Sequence, residues 1–256
     1  MLSACGQTPQ EEALQTAKRL ARTADLSDTE AIESLEHSQR LLDRLVEIQM
    51  SAAEWNLHVT RKLMDYYRRQ EMWPKAVEQA EKLIQIQPTH ARWYYLKGQI
   101  YGEWSQVDPE KVELAIDALR VALDLEPELY EAKYYLGLLK AFRQGEVARG
   151  RQHLEEVAYD LPLTAQNRPL VRRARFTLGK LEFEINNVSA ARDIYHSILE
   201  MERLPRADKF RTHRLLSQVY RTMGAHQLAA NQLRHAASIY PDDPRLQRQM
   251  KELGID

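Results

Sequence analysis

The sequence predicts an all-α fold, a right-handed superhelical solenoid of about six helix pairs closed by a C-terminal capping helix. Three observations carry that prediction. Five stretches can be laid over one another at a spacing near 34 residues. Few glycines, only 4 Phe and abundant Ala, Leu, Glu, Gln and Arg describe a helical chain. Within the copies, small residues, large residues and a closing proline recur in phase, as two helices that cross closely and then stop require.

Residues 1–8 read as a polar leader and residues 9–56 as an N-terminal helical pair, either a degenerate repeat or a cap. Thr8-Pro9 followed by Glu11 and Glu12 starts a helix to about Thr23, with Ala13, Leu14, Ala17, Leu20 and Ala21 on one face. Ser27-Asp28 starts a longer one, whose Ile32, Leu35, Leu42, Leu45, Val46 and Gln49 fall along one stripe. Five repeats then fill residues 57–243. The first (about 57–90) has Leu63, Tyr67, Trp73, Ala76, Ala80, Leu83 and Pro88. The second (about 91–129) has Tyr94, Gly98, Tyr101, Ala115, Leu119, Ala122 and Pro127, with Asp108 as an expected N-cap and Pro109 as the first helical residue.

Tyr130, Leu136-Gly137, Gly150, Leu154, Val157 and Pro162 mark the third repeat, and Leu178-Gly179, Ala191, Tyr195 and Ile198 the fourth, which has Arg203 where a proline is expected. Leu216-Ser217, Tyr220, Ala229, Leu233, Ala236 and Pro241 mark the fifth. Residues 244–256 form a capping helix that Gly254 stops.

Those offsets resemble the tetratricopeptide repeat over most of residues 57–253. The resemblance implies that the first helix of each pair lines a concave groove through its second, fifth, ninth and twelfth positions. These positions hold His58, Arg61, Asp65 and Arg68, then Arg92, Tyr95 and Gln99, then Glu131, Tyr134 and Leu138. Arg173, Phe176, Lys180 and Phe183 follow in the fourth repeat, and Arg211, Arg214, Gln218 and Arg221 in the fifth. Eight of these are Lys or Arg and two are acids, so a chain of net charge −1 would project roughly +6 on one face. Arginine pairs bidentately with carboxylates and stacks on rings, and Tyr95, Tyr134, Phe176 and Phe183 are expected as exposed anchors. The Lys and Asn clamp with which co-chaperone members of the family hold a C-terminal carboxylate is absent, since Arg61, Asp65, Tyr95, Gln99, Tyr134 and Leu138 occupy its places.

Other functions have little in the sequence to support them. The 8 His show no metal-ligand spacing, and neither a phosphate loop nor a nucleophile elbow is present, so the chain reads as a non-enzyme without a cofactor or small-molecule substrate. No run approaches the roughly 18 apolar residues of a membrane span. A pI near 6.7 argues against nucleic acid. Charge is uneven: residues 1–55 carry 5 Lys+Arg against 10 Asp+Glu, and the remainder 31 against 27.

Cys5 is the only cysteine, which excludes an internal disulfide. Leu2-Ser3-Ala4-Cys5 resembles the lipobox of bacterial lipoproteins, in which the cysteine becomes lipidated. A basic n-region and an apolar h-region precede it in that family, so the resemblance implies a signal upstream of Met1. It also implies an exported protein held to a membrane through Cys5 alone, and Gly6 in place of Asp agrees with outer-membrane sorting in the enterobacterial pattern. The expected function is therefore a lipid-anchored envelope adaptor that docks an acidic protein or peptide during assembly of a multiprotein complex. By analogy of architecture only, the chain resembles secretin or pilus pilotins and outer-membrane assembly factors. The alternative is a cytosolic adaptor or structural subunit with the same groove and no anchor.

Overall fold

The structure is a computed structural model that describes residues 15–16, 18–19, 29–45 and 50–254. Cys5, the leader and almost all of the expected 9–23 helix lie outside the described residues, as do the side chains of Leu42, Leu45, Val46 and Gln49. The described residues contain helices and no strand. The chain divides into two compact units, residues 1–132 and 133–256.

In the first unit, α1 (Thr29–Leu45) packs on α2 (Met50–Arg69), which forms a hairpin with α3 (Trp73–Ile86). A second hairpin follows from α4 (Ala91–Trp104) and α5 (Lys111–Leu125), and its two helices pack on each other more heavily than α4 packs on α3. Small residues explain that intimacy. Ala115 and Ala122 on α5 have no exposed surface, and a Cβ on Gly98 of α4 would stand 2.7 Å from Leu119 Cγ; Ala76 and Ala80 are as fully buried on α3. The core joins α1 to the first hairpin through Ile32, Leu35, Val59, Leu63, Met64, Tyr67, Val77 and Leu83. Beside it, Thr60 Oγ1 donates to Gln39 Oε1 (2.7 Å), Gln39 Nε2 to Asp43 Oδ1 (2.8 Å) and Asn56 Nδ2 to Asp43 Oδ1 (3.2 Å). The buried Gln39, Asn56 and Thr60, satisfied in part by the exposed Asp43, fix how α1 seats on α2. Tyr67 also donates its hydroxyl to Glu36, and burial together with that carboxylate pushes the phenol well above its ordinary range.

The insertion before α5 is organised differently from the expected cap. The helix begins at Lys111, two residues after Pro109. Asp108 closes a turn instead, its Oδ1 accepting from Glu110 N at 3.3 Å and its carbonyl from Lys111 N at 3.1 Å.

The second unit contains most of α6 (Tyr130–Phe142), then α7 (Val147–Glu155) running into a π-helical turn over Glu156–Asp160. Two hairpins follow, α8 (Arg168–Glu184) with α9 (Val188–Leu199) and α10 (Arg206–Thr222) with α11 (His226–Ala237), before α12 (Pro244–Glu252). Ala191 and Ala229 have no exposed surface, matching Ala76 and Ala115 of the first unit. Gly150 takes the same role in α7, where an added Cβ would lie 2.5 Å from Ala141 N and 2.7 Å from Gly137 O. The turns that close the first helices need left-handed backbone. Gly145 (φ 73°) and Gly224 (φ 74°) supply it without strain, and Asn186 (φ 63°) tolerates it. Asp243 caps α12, accepting from Arg245 N and Leu246 N, both at 2.9 Å, with Pro244 in the first turn.

Inside the last hairpin, the rings of His213 and His235 stack with centroids 5.2 Å apart, and His213 Nδ1 donates to Gln232 Oε1 at 2.7 Å. Burial, helped by the His235, Lys209 and His196 charges and opposed by the Gln232 hydrogen bond, holds His213 below its ordinary pKa. An unfolded chain then binds a proton that the folded one refuses, so stability is lost as pH falls below about 6.5. Thermal unfolding followed by circular dichroism should give a lower melting temperature near pH 5.5 than near pH 7.5, and His213→Gln should flatten the difference. An unchanged slope in that variant would assign the loss to other groups.

Candidate functional site

The candidate site residues lie on the first helices of the hairpins, at spacings of three and four that keep them on one helical face. In the second unit this face is built from cations laid over rings. The guanidinium carbon of Arg173 on α8 lies 4.9 Å from the Tyr134 ring centre on α6, and that of Arg211 on α10 lies 4.4 Å from the Phe176 ring on α8. The ammonium of Lys180 lies 4.9 Å from the Phe142 ring. A residue at the second position of one first helix thus covers the fifth-position ring of the helix before it.

That arrangement corrects the expectation of exposed aromatic anchors. Tyr95, Tyr134 and Phe176 keep only 8%, 6% and 5% of their surface exposed. Tyr134 also exchanges a hydrogen bond with Thr177 Oγ1 at 3.1 Å. Fifth-position side chains point along the packing direction in the second unit, so the neighbouring first helix and its arginine close over them. Phe183 is half-buried. The face offered to solvent is the guanidinium layer, not the rings.

The cations divide into two kinds. Arg61, Arg92, Arg173 and Arg211 are exposed and enter no ion pair among the described residues. Others are already engaged within their own unit. Arg68 lies 3.8 Å from Glu103, Arg214 Nε donates to Gln249 Oε1 at 2.7 Å, Arg221 to Glu252 at 2.8 Å, and Lys180 stands 3.5 Å from Glu184. Burial also pushes the Arg214 guanidinium down from its ordinary value. Arg214 and Arg221 therefore fasten α12 to α10. Asp65 and His58 are in the same region of α2, with His58 edge-on to Trp55 at 5.6 Å.

Several ordering contacts were not anticipated. Arg172 on α8 holds Asp208 on α10 at 2.7 Å, and Arg151 grips the buried Glu182 with two contacts of 2.6 and 3.2 Å, to which Asn187 Nδ2 adds a third at 2.7 Å. Arg175 spans two neighbouring segments, donating to the carbonyls of Ala158 (3.3 Å) and Ser197 (3.0 Å). The one available sequence signal was spacing: Arg214 and Gln249 are 35 positions apart, close to one repeat length. Among the described residues no group of three or more His, Cys, Asp or Glu could hold a metal ion, and no helix is long and apolar enough to cross a membrane.

No protein-family profile and no curated protein matches the chain. Solved structures do. PilW, described as a widely conserved type IV pilus biogenesis factor, superposes with a TM-score of 0.61 at 18% identity, covering 95% of this chain and 99% of its own. PilF of Pseudomonas aeruginosa gives 0.57 at 16% identity with the same coverage of 95% and 99%. YrrB, described as a TPR protein with an unusual peptide-binding site, gives 0.54 at 17% identity over 83% of this chain and 96% of its own. The paired helices, the alanine and glycine crossings and these likenesses together show that the chain is a tetratricopeptide-repeat protein in fold.

Proposed function

We propose that the chain is a non-catalytic adaptor that docks an acidic protein segment on the first-helix face. The observation that carries this reading is the pair Arg173 and Arg211, exposed and outside any ion pair among the described residues, with each guanidinium carbon over a buried ring. A guanidinium held over a ring keeps N–H groups that can still pair with a carboxylate, and its planar fork suits bidentate pairing. In the first unit Arg61 and Arg92 are likewise exposed and outside any ion pair among the described residues. A solvated surface would mix signs, whereas the expected groove positions hold eight cations and two acids. Charge reversal at Arg173 and Arg211 tests the docking site.

The adaptor is further proposed to work in a bacterial envelope, anchored through a lipid on Cys5 and acting in assembly of a multiprotein complex. Two things support this: the run Leu2-Ser3-Ala4-Cys5, and the likeness in fold to PilF and PilW, described respectively in a functional characterisation and as a pilus biogenesis factor. From Cys5 to Pro9 is about four residues, or roughly 13–14 Å of extended chain, which would keep the acidic N-terminal segment near the bilayer. Protein expressed from its full native gene is expected to partition with membranes, and Cys5→Ser to release it into the soluble fraction. Native protein that stays soluble, with Cys5 unmodified by mass spectrometry, would leave an unanchored cytosolic adaptor as the reading.

A further inference from the structure

We infer that the solvent face of α5 is a second docking surface, and that its occupant is a basic amphipathic helix from a partner protein. Leu114, Val121 and Leu125 are 44%, 38% and 40% exposed. At 100° per residue, positions seven and eleven apart fall within about 20° of the starting point on either side, so the three form a straight ridge. The ridge runs about 17 Å, roughly three helical turns. Single exposed apolar residues need no explanation, but an aligned row of them on one helix does.

Charge decides what can lie there. Glu113, Asp117 and Asp124 project from one side of the ridge, about 60–100° around the helix from Leu114. All three are exposed. The one cation on that side, Arg120, is drawn to Asp117 at 3.2 Å. The other side of the ridge is closed, because Ala115, Ala118 and Ala122 turn into the hairpin interior. A visiting helix therefore meets an apolar row and one acidic flank. Leucines spaced at i, i+7 and i+11 with lysines along one edge complement both. A second copy of the chain would bring these acids against themselves, and an anionic lipid surface would be repelled by them. The surface is opposite in sign to the Arg173 and Arg211 face and lies in the other unit, so it stands independently of the proposed docking of an acidic partner.

The test is fluorescence anisotropy on the full chain with a dye-labelled synthetic helix of that leucine spacing carrying lysines on one flank, and a twin with glutamates instead. The lysine probe is expected to bind saturably and the glutamate twin roughly tenfold more weakly or worse. Val121→Lys and the double change Asp117→Lys with Asp124→Lys should each cost the lysine probe at least about tenfold, with helical content by circular dichroism unchanged. Equal affinity for the two probes, wild-type affinity in both variants, or no saturable binding would overturn the inference. Sedimentation that shows a self-associated chain becoming monomeric in Val121→Lys would also overturn it, by making a second copy the occupant.

Discussion

Replacing Arg173 and Arg211 together by Glu is expected to abolish partner capture while leaving the helical fold intact. A hydrogen bond from a charged donor contributes about 1.5–3 kcal/mol, so losing two exceeds roughly a hundredfold in affinity before any repulsion is counted. The cost to the fold is smaller. Most exposed substitutions stay within about 0.5 kcal/mol, but both arginines here also cover rings, and an exposed cation–π contact adds about 0.5–1 kcal/mol each. The melting temperature should therefore fall by about 2–8 °C. Arg214 is the wrong site for this experiment, because its Nε bond to Gln249 makes reversal there a packing change as well. Arg173→Lys with Arg211→Lys separates charge from shape: it keeps the sign, loses the planar fork and should give an intermediate loss. A pull-down in which the Glu variant retains all that the wild-type chain captures would remove these residues from the site.

Gly150→Leu is expected to be the most destabilising single change in the second unit. The atoms in its way are backbone, Ala141 N at 2.5 Å and Gly137 O at 2.7 Å from an ideal Cβ, and backbone cannot rotate aside. Leucine is the better helix former by nearly 1 kcal/mol, so propensity acts in the opposite direction and the clash must exceed it. Overpacking costs about 1–3 kcal/mol, and a contact this close belongs at the upper end, which corresponds to a fall in melting temperature of about 10 °C. Ala191→Leu, at a position with no exposed surface, should cost about 1–3 kcal/mol by the same mechanism. Thermal melts check both. A melting temperature in Ala191→Leu equal to that of the wild-type chain would show that α8 and α9 do not cross where the alanine suggests.

The sequence alone determined the elements and their close contacts. Ala76, Ala115, Gly150, Ala191 and Ala229 recur because a second helix must pass its partner at short range, and only a small side chain permits that, so chemistry limited the choice at each copy. The start of the last helix at Pro244 was equally readable, since proline acts within the first turn. At Asp108 the same local logic misplaced the start of α5, because an Asx-type turn and a cap look alike in sequence. Only the tertiary structure decided which candidate site residues face solvent. Tyr134 and Phe176 occupy positions read as exposed, yet Arg173 and Arg211, some 35 to 39 residues further along, cover them. The same held for Arg68, Arg214 and Arg221, whose partners Glu103, Gln249 and Glu252 come from a neighbouring helix. A local pattern specifies the direction of a side chain from its own helix. Whether that direction ends in water, a ring or a carboxylate depends on packing between elements distant in sequence, which the repeat spacing brackets without assigning the partner.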